Sequence, residues 1–229
     1  MTVDFAFSIV NFVIAKNSGQ GDLSPQDFNN IINMSQYEFL DYLLGEFQSY
    51  AGGRPVAKVQ FGMNESVRQR LTPFIKPPLP LSPDVTGFAL YPADYQQMDA
   101  MWDANMNRIR FVPQHKLFSY LGSQIDPINT NPIYTIENNG FRFYPNTTFN
   151  GTASPAAKLS YVSTPPNITW GWTPDANGRP VYNPGTSTDP EWYDVDMEEI
   201  LARVLRKCGV NLQNNEVNQY AQEIKQAGQ

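Results

Sequence analysis

The 229 residues include 41% hydrophobic and 13% aromatic side chains, enough for a folded interior in one large domain or two small ones sharing a core, and this excludes wholesale disorder. Sixteen basic against 22 acidic residues give a net charge of -6, so the chain lacks the cationic surface that sequence-independent nucleic-acid binding needs. A single cysteine, Cys208, excludes an internal disulfide framework and fits synthesis in a reducing compartment.

In chain order, the apolar run from Phe5 to Ala15 is too short to span a bilayer, and Asp4 stands where a signal peptide would be basic. It predicts a first helix that buries Phe5, Ile9, Phe12 and Val13 along one side. No other segment reads as a membrane span or a targeting sequence. Ser24-Pro25-Gln26-Asp27 is a helix start, with a hydroxyl at the N-cap, proline at the first helical position and a carboxylate near the positive end of the dipole. Phe28, Ile31 or Ile32, Ser35, Phe39, Tyr42 or Leu43, Phe47 and Tyr50 recur at three-to-four spacing, a long amphipathic helix ended by Gly52-Gly53. A short strand near 56 to 61 and a helix capped by Asn64, with Val67 and Leu71 inward, follow. Pro73, Pro77, Pro78, Pro80 and Pro83 then predict a stiff extended linker and the main internal boundary.

From Gly87 to Pro165 the pattern changes to short runs between turns. Strands are predicted over 88 to 91, 95 to 102 (or a short helix), 108 to 112, 132 to 137, 141 to 144 and 158 to 163, with a helical turn over 115 to 121. Asn138-Asn139-Gly140 is a strong hairpin turn, because Asn and Gly tolerate positive φ. Together these make a small antiparallel sheet. Near the end, Asp196 or Asp194 caps a helix with Ile200, Leu201, Val204 and Leu205 inward, Gly209 stops it, and Asn214 or Asn215 opens a last helix bearing Val217, Tyr220, Ala221 and Ile224. Cys208, at that helix end, reads as a small buried hydrophobe.

Residues 164 to 194 stand apart: too long and too rich in Pro, Gly and Asn for a buried connection, yet carrying Trp170, Trp172, Tyr182, Trp192 and Tyr193. Aromatic content this high argues against disorder, so the arm lies on something, its own domain or a neighbouring molecule. The expected fold class is α+β: a helical bundle from the N- and C-terminal segments packed with a central small antiparallel β-sheet, plus extended Pro-rich and aromatic arms. Its parts are a helical 1-76, a Pro-rich linker 77-86, a β-rich 87-165, the arm 166-194, and helices over 195-229 that rejoin the first part.

Motifs for chemistry are sparse. His115 has no Cys, Asp or Glu at ligand spacing, so no metal site is expected, and Ser-His-Asp or Cys-His catalysis would have to use this same imidazole. Neither glycine-rich nucleotide loop is present, and no cofactor is expected. Asp175-Ala176-Asn177-Gly178 resembles the start of a calcium loop but lacks the later acidic ligands, so a turn is expected. Asp94, Asp99, Asp103, Asp126 and Glu137 are scattered carboxylates rather than a glycosidase pair. Arg68, Arg70, Arg108 and Arg110 either pair with acidic groups across an interface or decorate exposed faces.

Several phrases taken in order carry a resemblance: SPQDFNNIINMSQYEFLDYLLGEFQSY, RIRFVPQHKLFSYLGSQIDPINTNPIYTIENNGFRFYP, LSYVSTPPNITWGWTPDANGRPVYNPGTSTDPEW and EEILARVLRKCGVNLQNNEVNQYAQEIK. The chain resembles the structural ring proteins that form the head-to-tail connector below the portal in crAss-like and related short-tailed bacteriophages. The resemblance implies a non-enzymatic virion protein, made in the host cytoplasm, forming a homo-oligomeric ring of about twelve copies to match the portal. It implies as partners the portal and neighbouring ring or tail proteins, with DNA only as cargo in the lumen, and no membrane. In that setting an acidic lumen would offer passing DNA no strong phosphate sites. Trp170, Trp172, Tyr182 and Trp192 are the expected subunit-interface anchors, since Trp and Tyr dominate hot spots. A rival from another class is a non-catalytic carbohydrate-binding or adhesin module whose exposed rings stack on sugars, although the two helical ends fit such all-β modules poorly.

Overall fold

The computed structural model describes residues 1–18, 23–45, 65–123, 125–128, 130–145 and 157–209. The chain is α+β and divides into two units, one made of Met1–Arg70 with Pro165–Gln229, the other of Leu71–Thr164. The boundary therefore falls ahead of the proline run rather than within it.

In the first unit, α1 (Val3–Ser18) and α2 (Pro25–Leu44) are followed by α3 (Glu65–Arg70). The start of α2 follows its sequence signal: Ser24 Oγ accepts the Asp27 N–H at 3.1 Å, with Pro25 in the first turn. Its end does not. The helix stops at Gly45, which takes a φ of 87° and donates its N–H to the Tyr42 carbonyl, so the break comes one glycine earlier than Gly52-Gly53. Phe47, Tyr50, Gly52-Gly53, the strand expected near 56 to 61 and Asn64 lie outside the described residues. Ile32 and Leu43, of the alternatives, face inward with Phe28, Phe39 and Leu40.

The inward face of α1 is corrected by the structure. Val3, Ala6, Val10 and Ile14 are buried, whereas Phe5 is 56% and Phe12 69% exposed. Both faces of this helix are apolar, so periodicity alone selects the bulkier stripe, and tertiary packing selects the smaller one because it lets α1 approach its neighbours closely. The terminal helix α5 (Asp194–Lys207) buries Met197, Ile200, Leu201, Val204 and Leu205 and packs on α2 and α1. Neither Asp194 nor Asp196 is its N-cap. Tyr193 holds that position, and both carboxylates sit in the first turn, where the helix dipole favours them. The last helix expected from Asn214 or Asn215 lies outside the described residues.

In the second unit, β1 (Ile75–Leu81), β2 (Phe88–Leu90), β3 (Tyr95–Asp103), β4 (Arg110–Phe111), α4 (Gln114–Tyr120), β5 (Ile133–Glu137), β6 (Gly140–Tyr144) and β7 (Ala157–Ser163) form two sheets, ordered β1-β7-β3 and β2-β6-β5-β4. The supposed Pro-rich linker contains β1. Edge strands need only one row of ladder bonds, so Pro77, Pro78 and Pro80 are tolerated there, and the register against β7 slips between Lys76 and Leu79 where two prolines adjoin. The second sheet is mixed rather than purely antiparallel, because β4 pairs parallel to β5. Parallel neighbours require a crossover, and α4 with its following loop provides it. The Asn138-Asn139 turn joins β5 to β6 as expected, Asn138 adopting φ 41°. An added Cβ at Gly140 would lie 2.5 Å from the Phe88 ring, so β2 can approach only a glycine there. Leu81, Met101, Ile109, Tyr134, Phe141 and Leu159, drawn from both sheets and their connections, share one core.

Candidate interaction surface

The aromatic arm begins by lying along α2. Asn29, Asn33 and Gln36 recur once per turn on one face of that helix, and each side-chain amide meets the extended backbone of 166 to 170. Asn33 Nδ2 donates to the Ile168 carbonyl at 2.8 Å while its Oδ1 accepts the Ile168 N–H at 2.9 Å. Asn29 repeats the pair on Trp170, at 3.2 and 2.7 Å, and Gln36 Nε2 donates to the Pro166 carbonyl at 3.1 Å. Four helical residues rise about 6.0 Å and two extended residues about 6.6 Å, so the amides keep step with alternate arm residues as a neighbouring strand would. The arm thus has a hydrogen-bonding partner without a sheet.

Two of the four expected anchors are held inside this arrangement. The Trp170 ring stacks on Phe7 with centroids 4.1 Å apart, its Nε1–H donates to Asp4 Oδ1 at 3.0 Å, and the residue is 4% exposed. Trp192 is equally buried, edge-on to Phe39, with Nε1–H donating to Gln36 Oε1. Their ring surface is covered by their own unit, which corrects the expectation that a neighbour covers it. Trp172 and Tyr182 differ. They are paired across a hairpin formed by β8 (Trp172–Pro174) and β9 (Pro180–Tyr182), whose turn is closed by Asp175 accepting the N–H groups of Asn177 and Arg179. This is the turn expected for Asp175-Ala176-Asn177-Gly178. Every residue from 172 to 181 is exposed, Trp172 by 45%, while Tyr182 is half-buried beside Trp170. Gly171 at the hairpin base lies so close to Thr186 that an added Cβ would clash with its backbone.

Charged groups in the first unit mostly tie elements together. Arg70 donates to Asp196 at 2.5 Å and to Glu199 at 2.9 Å and lies over the Phe39 ring, so it pairs within its own unit. These two acceptors hold its guanidinium above the ordinary arginine value despite burial. Asp189 accepts the Val3 N–H at the start of α1, and the Met1 amino group pairs with Asp194. Glu38 is held below the ordinary carboxylate range, chiefly by its hydrogen bond with Lys207. Cys208 is half-buried, and that burial pushes its thiol up, away from the thiolate.

The second unit uses its carboxylates locally. Asp94 accepts the Tyr161 hydroxyl at 2.8 Å, Asp99 accepts from Ser160, Asp103 accepts two backbone N–H groups of its own turn, and Glu137 pairs with Arg142. His115 is exposed on α4, and no group of three His, Cys, Asp or Glu residues suited to a metal ion occurs among the described residues. Burial pushes Tyr95 and Tyr161 up to about 12. A cavity of about 440 Å³ opens here, floored by Met98, Ala100, Met101, Ile109 and Tyr134 and edged by Arg108, Arg110 and Phe111. No helix among the described residues is long and apolar enough to cross a membrane.

Sequence reasoning placed the anchors on the arm but missed the amide row that holds it. The signal was present as Asn29, Asn33 and Gln36 at i, i+4 and i+7, hidden because amides on a helix ordinarily mark its solvent side. No family model matches the chain, and no curated protein matches it.

Proposed function

We propose that the chain is a non-enzymatic structural virion protein that assembles as a homo-oligomeric ring in the head-to-tail connector of a short-tailed bacteriophage, beneath the portal, with DNA passing through its lumen. The observation that carries this reading is the hairpin over 172 to 182. A two-stranded hairpin is marginal alone in water, and this one holds out an indole from a base fastened by Trp170 and Gly171. A surface of this kind is suited to covering by another protein chain. The order-preserving resemblance to connector ring proteins supplies the setting, and the net charge of -6 suits a lumen that does not retain DNA.

Electron microscopy of the purified protein with portal, and of the intact particle, tests the reading. Rings at the portal vertex are expected, and Trp172→Ala should lower incorporation at least ~10-fold with an unchanged thermal melt. Monomers that ignore the portal and bind a glycan array would replace this reading with the adhesin.

A further inference from the structure

Arg108 and Arg110 are exposed at the mouth of the 440 Å³ cavity, and neither has an ion-pair partner among the described residues. Arg110 rests over the Tyr120 ring at 5.2 Å, which holds its guanidinium without neutralising it. The floor of the cavity is formed by two methionines, an alanine, an isoleucine and the Tyr134 ring, its lining as a whole is about half polar, and its volume lies in the ~300–1,000 Å³ range of small-ligand pockets. A cationic rim around an apolar floor fits an aromatic or aliphatic side chain flanked by carboxylates. Methionine-lined floors adapt to such guests.

The chain carries a segment of that description. Residues 189 to 199, DPEWYDVDMEE, hold six carboxylates and no basic residue. Four of the six are engaged within their unit, Asp189 by Val3, Asp194 by the amino terminus, and Asp196 and Glu199 by Arg70. Glu191 and Glu198 are exposed without an ion-pair partner among the described residues, and Tyr193, 49% exposed, and Val195, 70% exposed, lie in the stretch between them. Two carboxylates without an ion-pair partner among the described residues, with an exposed ring between them in one unit, thus match two guanidinium groups likewise unpaired among the described residues around the apolar floor of the cavity in the other.

Resting on the ring reading, the geometry points to a copy-to-copy contact in which the cavity edged by Arg108 and Arg110 receives Tyr193 of a second copy, with Glu191 and Glu198 of that copy meeting the two arginines. Such a contact is heterologous, so it repeats from copy to copy and forms a ring when the rotation between copies closes. Its charged rim sets orientation and its buried ring supplies most of the affinity.

The test uses the full-length protein, with association measured by analytical ultracentrifugation and ring closure by electron microscopy. Arg108→Glu with Arg110→Glu, Glu191→Lys with Glu198→Lys, and Tyr193→Ala should each weaken association of copies at least ~10-fold while the thermal melt is kept. Mixing the two charge-reversed proteins should restore it, because in an alternating assembly every contact again joins opposite charges. Reversed variants that assemble like the wild type, or a mixture that fails to recover, overturn this contact and leave the ring reading standing. Reversed variants that keep copy association but lose portal binding give the cavity to the portal and likewise overturn it. Wild-type protein that stays monomeric with and without portal sinks the ring reading together with this contact.

Discussion

Replacing Asn33 by leucine tests whether the amide row on α2 holds the arm. The substitution conserves size but removes both partners of Ile168, whose N–H and carbonyl lie 2.9 and 2.8 Å from the asparagine amide beneath a residue only 1% exposed. Each backbone group left unpaired in such a place costs about 1–3 kcal/mol, so the pair should cost about 2–6 kcal/mol. At roughly 2–4 °C per kcal/mol the melting temperature should fall by about 4–24 °C, and the urea midpoint should fall with it. Intrinsic fluorescence reports the local event, because Trp170 is two residues along the arm and should redden as it gains water. Asn30→Ala is the control: it lies on the exposed side of the same helix and should stay within about 0.5 kcal/mol of wild type. Equal stabilities for Asn33→Leu and Asn30→Ala, or a blue-shifted Trp signal unchanged in Asn33→Leu, would refute the account of the arm.

Removing Arg70 leaves Asp196, whose side chain is 2% exposed, as a buried carboxylate without its cation. Arg70→Met should cost about 2–4 kcal/mol in denaturant titrations, and adding Asp196→Asn should recover part of that, since removing both charges is cheaper than stranding one. Tyr95 and Tyr161, raised from 10.0 to about 12, prefer the neutral phenol more strongly when folded than when unfolded. Their stabilisation is complete below pH 10 and is lost as pH rises through about 12; at pH 11 each should have given up about 1 kcal/mol. Denaturation curves at pH 9 and 11 check this, and Tyr161→Phe should lose about a third of the difference or less, because burial raises Tyr134, Tyr91 and Tyr144 as well.

Much of the architecture was legible as local chemistry. Ser24-Pro25 set the start of α2, Asn138-Asn139-Gly140 set a hairpin, and alternation identified β7, because caps and turns depend on a few neighbouring residues. What misled was any reading in which a residue's partner lay far along the chain. Prolines that look like a linker became an edge strand once β7, some eighty residues later, supplied the other half of the ladder. A purely antiparallel sheet became mixed because α4 carries the chain back beside β5.

The aromatic arm shows the division most clearly. Composition determined that segment 164 to 194 is ordered and adheres to a surface, since large rings amid Pro, Gly and Asn are costly to leave in water. Only the tertiary structure decided which rings are held at home, burying Trp170 and Trp192 under α1 and α2 and leaving Trp172 outside. The same division runs through α1, where sequence established a helix apolar on both faces and packing chose Val3, Ala6, Val10 and Ile14 for the interior. Hydrophobic burial is non-directional, so a sequence can specify that a surface seeks cover, while only close packing of particular neighbours specifies which surface obtains it.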